Sequence, residues 1–251
     1  MLAAKSQETK MDLLQDGWTL LPGVLGEGEC IRIAAEIEEL FSASSEDAIE
    51  SVRGRVVGGR NLLSCWDGWR CLMAQPEVAH VVESHLGSHA GVVRALFFDK
   101  PPGESWALSL HRDRTIAVAN HYEPADPFSK PTRKAGVPHV QATDKLLSQM
   151  LTLRFHLDAM RDENGPLTVV PGSHLQTEGT SRASDSRPVQ TIHCDRGDLF
   201  VMRPLLLHGS KSCHAMTTMH RRVVHLELAS LPELPEKYRW HQFLPIEAAA
   251  S

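Results

Sequence analysis

The sequence predicts a mostly-β domain, a sandwich, barrel or jelly roll, behind a helix-rich first third. Short apolar, β-favouring runs recur between about residues 91 and 230, separated by turn residues such as Gly165-Pro166, Pro171-Gly172 and Arg196-Gly197-Asp198. No Gly-x-Gly-x-x-Gly and no Walker loop occurs, which removes the best support for a nucleotide-binding α/β sheet. The 251 residues, 42% apolar and 23% charged, suffice for one domain with a full core and leave little room for long disorder.

In chain order, Asp16-Gly17 and then Trp-Thr-Leu-Leu read as a short strand that ends at Pro22-Gly23. Apolar residues Ile31, Ala34, Ile37 and Phe41 recur at spacings of three and four among acidic neighbours, the pattern of an amphipathic helix. Residues 61–87 read as a helix in two pieces broken at Pro76, with Trp66, Trp69, Leu72 and Met73 as its apolar surface. Strands are expected over 92–98, 107–110, 150–157, 167–170, 189–193, 199–202 and 222–228. The polar, proline-broken stretch 120–149 reads as a lid or binding loop. Tyr238, Trp240 and Phe243 are expected to pack the C-terminal segment back onto the body, before a frayed Ala-rich end. The reading is a single domain, with a helix-rich part over 1–90, a β core over 91–230 and an extension over 231–251.

Net charge is −5, so the overall field does not favour nucleic acid or anionic membranes. No apolar run reaches the roughly 18–20 residues of a membrane-spanning helix. Five scattered cysteines with no Cys-x-x-Cys pair speak against a disulfide framework or a thiolate zinc site. The N-terminus, MLAAKSQETKMDLL, lacks the apolar core of a signal peptide, so the expected location is the cytoplasm. Fourteen histidines are more than packing requires, and histidine is the commonest metal ligand.

Two of them stand in telling places. His111-Arg112-Asp113 follows a strand-like run, and in extended backbone residues i and i+2 share a face. The imidazole and carboxylate therefore converge while Arg112 points away. Two histidines and one carboxylate on one face of an octahedron make an iron(II) site with open positions. A His-x-Asp tripeptide also arises by chance. The candidate third ligand is His208, where Leu205-Leu206-Leu207 run into His208-Gly209-Ser210 at a strand end; a capped turn histidine is the plainer reading of that motif alone. Arg221-Arg222 opens the next strand, and an arginine inside a barrel needs a carboxylate partner, which a dicarboxylate cosubstrate would supply.

The order of these features resembles the phytanoyl-CoA dioxygenase family. His-x-Asp comes first, then a strand ending in Asp158 and Glu163-Asn-Gly-Pro-Leu-Thr-Val-Val-Pro-Gly-Ser-His174, then His208-Gly-Ser and Arg221-Arg222. The likeness runs from about Asp16 to Leu228. A closer likeness is to bacterial members carrying Lys134-Ala-Gly-Val-Pro-His-Val-Gln141. The resemblance implies a double-stranded β-helix with helices packed on its major sheet. It implies Fe(II) held by His111, Asp113 and His208, and 2-oxoglutarate held at its distal carboxylate by Arg221, with Ser210 assisting.

Arg222 is the rival anchor. Alternation groups Arg221 with Val223, His225 and Glu227, and Arg222 with Val224, Leu226 and Leu228; the polar group better suits a cosubstrate pocket. Lys100 and Arg154 are further candidates for the pocket. His174 reads as structural, and His121 and His139 as solvent-side residues of the long loop. The implied reaction joins dioxygen, 2-oxoglutarate and a small-molecule substrate, releases succinate and CO2, and hydroxylates. The carboxylate Asp113 stands where related halogenases have a small residue. Two rivals remain: a non-redox hydrolase or isomerase using the same three ligands, and an idle binding protein.

Overall fold

The computed structural model describes residues 13–43, 46–176 and 187–246. Most of the N-terminal stretch read for a leader, and the Ala-rich C-terminal end, lie outside the described residues.

Strand β1 (Trp18–Leu21) is followed by helix α1 (Glu27–Ala43), whose Cys30, Ile33, Ala34, Ile37 and Phe41 are buried. That stripe at helical spacing fixes which face meets the core, and each fully buried large side chain contributes roughly 1.5–3 kcal/mol. A hairpin of β2 (Ala48–Glu50) and β3 (Val56–Gly59) comes next. After it a 3-10 turn, α2 (Trp69–Met73) and α3 (Pro76–Leu86) follow, with Pro76 at the first turn of α3, where its missing N–H costs nothing.

The remaining strands are β4 (Gly91–Phe98), β5 (Leu108–His111), β6 (Thr115–Ala117), β7 (Ser129–Lys134) and β8 (Val137–Gln141). A short helix α4 (Asp144–Leu147) then leads to β9 (Met150–His156), β10 (Leu167–Val170), β11 (Gln190–Ile192), β12 (Leu199–Met202), β13 (Leu207–Ser210), β14 (Val223–Ala229) and β15 (Leu244–Pro245).

Two sheets face each other. The larger runs β1-β12-β9-β14-β4-β3-β2, with β15 also on β4; the smaller runs β11-β10-β13-β5. Their central strands alternate between sheets along the chain, β4 in one, β5 in the other, β9 back in the first. This is the winding of a double-stranded β-helix. The helices cover the outer face of the larger sheet, where Leu151, Leu153 and Phe155 of β9 and Val224, Leu226 and Leu228 of β14 join Ile33, Ile37, Leu72 and Val78 in one core. Between the sheets one end is filled by Met160, Leu167, Ile192, Phe200, Met202 and Leu206. The other end is open.

Two expectations need correction. Residues 120–149 are not a loop: β7 and β8 pair as a hairpin, β8 pairs β6, and the resulting three-stranded sheet lies over a separate core with Ile116, Val118, Phe128 and Val140. Prolines 131 and 138 mask the strand pattern, and β7 is a nearly fully exposed edge, the position where proline is tolerated. The helix-rich first part contributes not only the expected β1 but also β2 and β3 to the larger sheet. The C-terminal segment does pack back, through Tyr238 and Trp240.

Candidate active site

The open end of the β-helix is a cavity of about 270 Å³. His111 closes β5 and lies directly opposite His208 of β13 in the strand register. Their rings stand 4.5 Å apart. The main-chain N–H of Asp113 donates to the Pro204 carbonyl at 2.9 Å, which ties the segment after β5 to the turn before β13. The Asp113 carboxylate then sits 3.7 Å from His111 Nε2 and 3.6 Å from His208 Nε2. All three ligand atoms fall within 4.8 Å of one another.

The tautomers follow from the backbone. His111 Nδ1 donates to the Ser109 carbonyl at 2.8 Å and His208 Nδ1 to the Leu206 carbonyl at 3.0 Å. A carbonyl only accepts, so each Nδ1 carries hydrogen and each Nε2 offers its lone pair toward the shared point. Burial pushes His208 down to about 4, against the opposing pull of Asp113, so its ring is neutral and ready to ligate at neutral pH. Gly209 keeps the two strands close: a Cβ there would come within 2.6 Å of the Leu108 carbonyl oxygen.

Arg221 and Arg222 part company. Arg222 turns away from the cavity onto Asp158, at 2.7 and 2.8 Å, and onto Glu38 of α1 at 2.7 Å. Arg221 lines the cavity and is only 5% exposed. Its backbone pairs with that of Lys100. Among the described residues its guanidinium meets no carboxylate; one nitrogen reaches the Met160 sulfur at 3.7 Å and Nε has no partner. Burial and the neighbouring Arg154 push it down to about 10, which still leaves it charged.

The sequence profile of the phytanoyl-CoA dioxygenase (PhyH) family matches residues 13–223. The chain belongs to that family. Iron(II) and 2-oxoglutarate are the cofactors of the family. The donor set here fits both: two imidazole lone pairs and a carboxylate suit a ferrous ion, and a buried arginine without a carboxylate partner suits a dicarboxylate.

Three solved structures show the same fold. SnoN, a non-heme alpha ketoglutarate dependent epimerase from nogalamycin biosynthesis, is 22% identical over 90% of this chain and 84% of its own, with a TM-score of 0.65. The carbocyclase SnoK from the same biosynthesis is 17% identical over 89% of this chain and 83% of its own, at 0.65. HygX from Streptomyces hygroscopicus, crystallised with nickel and 2-oxoglutarate, is 17% identical over 89% and 86%, at 0.60. The chain matches no protein among the curated sequences. Among the described residues no helix is long and apolar enough to cross a membrane.

The other expected positions of this dioxygenase-family chain divide. Ser210 lines the cavity, and so does Arg154 of β9. Arg154 Nη1 donates to His225 Nδ1 at 3.4 Å, and His225 Nε2 lies 3.6 Å from Glu227. Because arginine only donates, His225 Nδ1 is the bare nitrogen and its Nε2–H faces the Glu227 carboxylate. Glu227 in turn accepts from Arg94 at 2.9 Å, so a row of four polar groups crosses β9, β14 and β4 along the cavity.

Lys100 stands one layer behind, 1% exposed. Its ammonium donates to the Trp106 and Lys211 carbonyls and to Ser210 Oγ, at 2.8, 2.9 and 3.1 Å. Burial and Arg221 push it down to about 7. It braces Ser210 rather than lining the cavity.

Arg112 points away from the ligands, as expected, onto the Leu205 and Ser173 carbonyls. His174 packs against Gly17. His139 corrects the sequence reading, being 2% exposed and tucked behind the cavity wall near Arg94 and Lys134. Sequence reasoning missed Arg60, Arg94 and Lys134, which line the cavity together with Glu227, the residue that alternation grouped with Arg221. Arg94 had a signal: it is the one charge in the apolar run Gly91–Phe98.

Proposed function

We propose that the protein is an Fe(II)- and 2-oxoglutarate-dependent dioxygenase that hydroxylates a small molecule, forming succinate and CO2 as coproducts. The observation that carries this is the meeting, in one cavity, of a two-histidine, one-carboxylate cluster and a buried arginine with no carboxylate partner among the described residues.

His111 and His208 would present their Nε2 lone pairs to iron, and Asp113 a carboxylate oxygen. Arg221 would take the distal carboxylate of 2-oxoglutarate by paired, charge-assisted hydrogen bonds, with the Ser210 hydroxyl beside it. Lys100, itself behind the wall, holds that hydroxyl in place without occupying space. Bound there, iron and 2-oxoglutarate would supply the electrons that activate dioxygen, the oxidant, for attack on a substrate C–H bond. Arg154 is the remaining deep cation, oriented by His225 and Glu227. Leu96, Phe98, Trp106 and Leu167 give the cavity apolar walls against which a substrate's hydrocarbon surface would pack.

Anaerobic reconstitution with Fe(II) and 2-oxoglutarate tests the reading. Wild type should develop the weak visible charge-transfer band of the chelate, and Asp113→Ala and His208→Ala should not. No band in wild type, or an unchanged band in both variants, overturns the proposal. A hydrolase or isomerase on the same ligands would instead turn over without 2-oxoglutarate. SnoN and SnoK direct related centres to epimerisation and ring closure, so product analysis by mass, with a gain of one oxygen expected, is the check on hydroxylation.

A further inference from the structure

The cavity holds more positive charge than its proposed cofactors can use. Its lining includes Arg60, Arg94, Lys134, Arg154 and Arg221 against the carboxylates of Asp113 and Glu227, an excess of three positive charges. A ferrous dication and a 2-oxoglutarate dianion cancel each other, so loading both leaves that excess in place.

The cations fall into two groups. Arg154 and Arg221 lie together at the Lys100 end. Arg60, Arg94 and Lys134 lie together at the other, where like charge and burial hold Lys134 and Arg60 below their usual values. Within this second group Arg94 is already neutralised by Glu227 at 2.9 Å. Arg60, just past the end of β3, makes no side-chain hydrogen bond or ion pair among the described residues. Lys134, at the end of β7, reaches only the Thr115 hydroxyl, at 3.2 Å. Two half-buried cations held near each other, with no ion pair of their own among the described residues and the nearby Glu227 committed to Arg94, are costly in a partly dry site, and a bound anion recovers that cost. Beside them the wall is apolar, formed by Ile49, Leu96, Phe98 and Trp106.

We infer that the primary substrate is a small molecule with an apolar body and an anionic group, carboxylate or phosphate, and that Arg60 and Lys134 bind that group. The apolar body then lies along Leu96 and Phe98 and offers its C–H bonds to the centre at His111, Asp113 and His208. This inference rests on the proposed function. It adds the chemical class of the substrate and the residues that select it.

The test uses the full chain loaded anaerobically with Fe(II) and 2-oxoglutarate, so that the Arg221 end is filled. Hexanoate, hexyl phosphate and the uncharged hexanamide are titrated by calorimetry and by perturbation of the chelate band. At least one of the two anions should bind wild type about tenfold or more tighter than hexanamide, and the tighter of the two identifies the acid group. Arg60→Gln and Lys134→Met should each weaken that anion about tenfold and leave hexanamide unchanged, while Arg60→Lys and Lys134→Arg restore most of the affinity. The chelate band itself should form normally in all four variants. No preference for either anion in wild type, or anion binding unchanged in both neutral variants, overturns the inference while a normal band leaves the proposed function standing. Absence of the band in wild type removes both.

Discussion

The two faces of the larger sheet are built from the same strands and do opposite work. On β9 and β14 one set of alternate residues, Leu153, Phe155, Val224 and Leu226, is fully buried against the helices. The other set, Arg154, His156, His225 and Glu227, is buried just as deeply with polar groups that the fold alone has no use for. His156 is the extreme case, since neither ring nitrogen has a partner among the described residues, and burial, with Arg154 and Arg221 nearby, holds it neutral far below its usual range. Each such group costs on the order of 1–3 kcal/mol when unpaired, so the helix face must supply the stability that the cavity face gives up. Parity along a strand therefore separates what holds this protein together from what it can bind.

Substitutions on the two faces test that separation. Leu226→Ala, on the helix face, should lower stability by about 4 kcal/mol in chemical denaturation and leave 2-oxoglutarate affinity unchanged in the folded enzyme. Arg221→Ala, on the cavity face, should do the reverse: about 3 kcal/mol, or roughly a hundredfold, lost in 2-oxoglutarate affinity by titration of the chelate band, with stability unchanged or higher because a buried unpaired cation is gone. If Arg222→Ala weakens 2-oxoglutarate more than Arg221→Ala does, the two faces have been assigned the wrong way round.

Acid should act through the cavity wall. Burial, reinforced by Arg94, pushes His139 down to about 4 from an ordinary 6.5. The unfolded chain thus binds the extra proton first, and stability falls as pH drops from about 6.5 towards 4. That one ring accounts for about 2 kcal/mol between pH 7 and 4.5. Denaturation midpoints of His139→Gln should show a correspondingly flatter acid limb, and an unchanged limb would remove His139 from the account. The smallest effect belongs to Arg222→Ala, which breaks partly exposed pairs with Asp158 and Glu38 and should cost about 1 kcal/mol.

This division also explains what was legible in the sequence. The helix-face residues repeat at spacings of two or three and four, so the central strands and α1 could be read directly. His111, Asp113 and His208 could be found because a strand places i and i+2 on one face and because an imidazole ends a leucine run. The β2–β3 hairpin was hidden in a stretch whose glycines answer to distant residues: a Cβ on Gly59 would occupy the Phe41 ring, and one on Gly58 would meet the Phe97 carbonyl at 2.6 Å. Arg60 and Lys134 resemble any surface cation in sequence. They become cavity residues only because β3 and β7, far apart in the chain, end at the same opening.

The last residues described have a bearing on how that opening comes to exist. Tyr238 meets Tyr122 and Phe128 edge to face and donates to the Ala125 carbonyl, Ala119 donates to the Arg239 carbonyl, and β15 adds to β4 beyond them. The three-stranded sheet whose strand β7 ends in Lys134 is thus fastened by chain that follows β14. The strands that bring His111 opposite His208 all precede this clasp in the sequence. A fusion or truncation that disturbs residues 234–246 would leave His111, Asp113 and His208 together and loosen the side of the cavity where Arg60 and Lys134 are proposed to bind substrate.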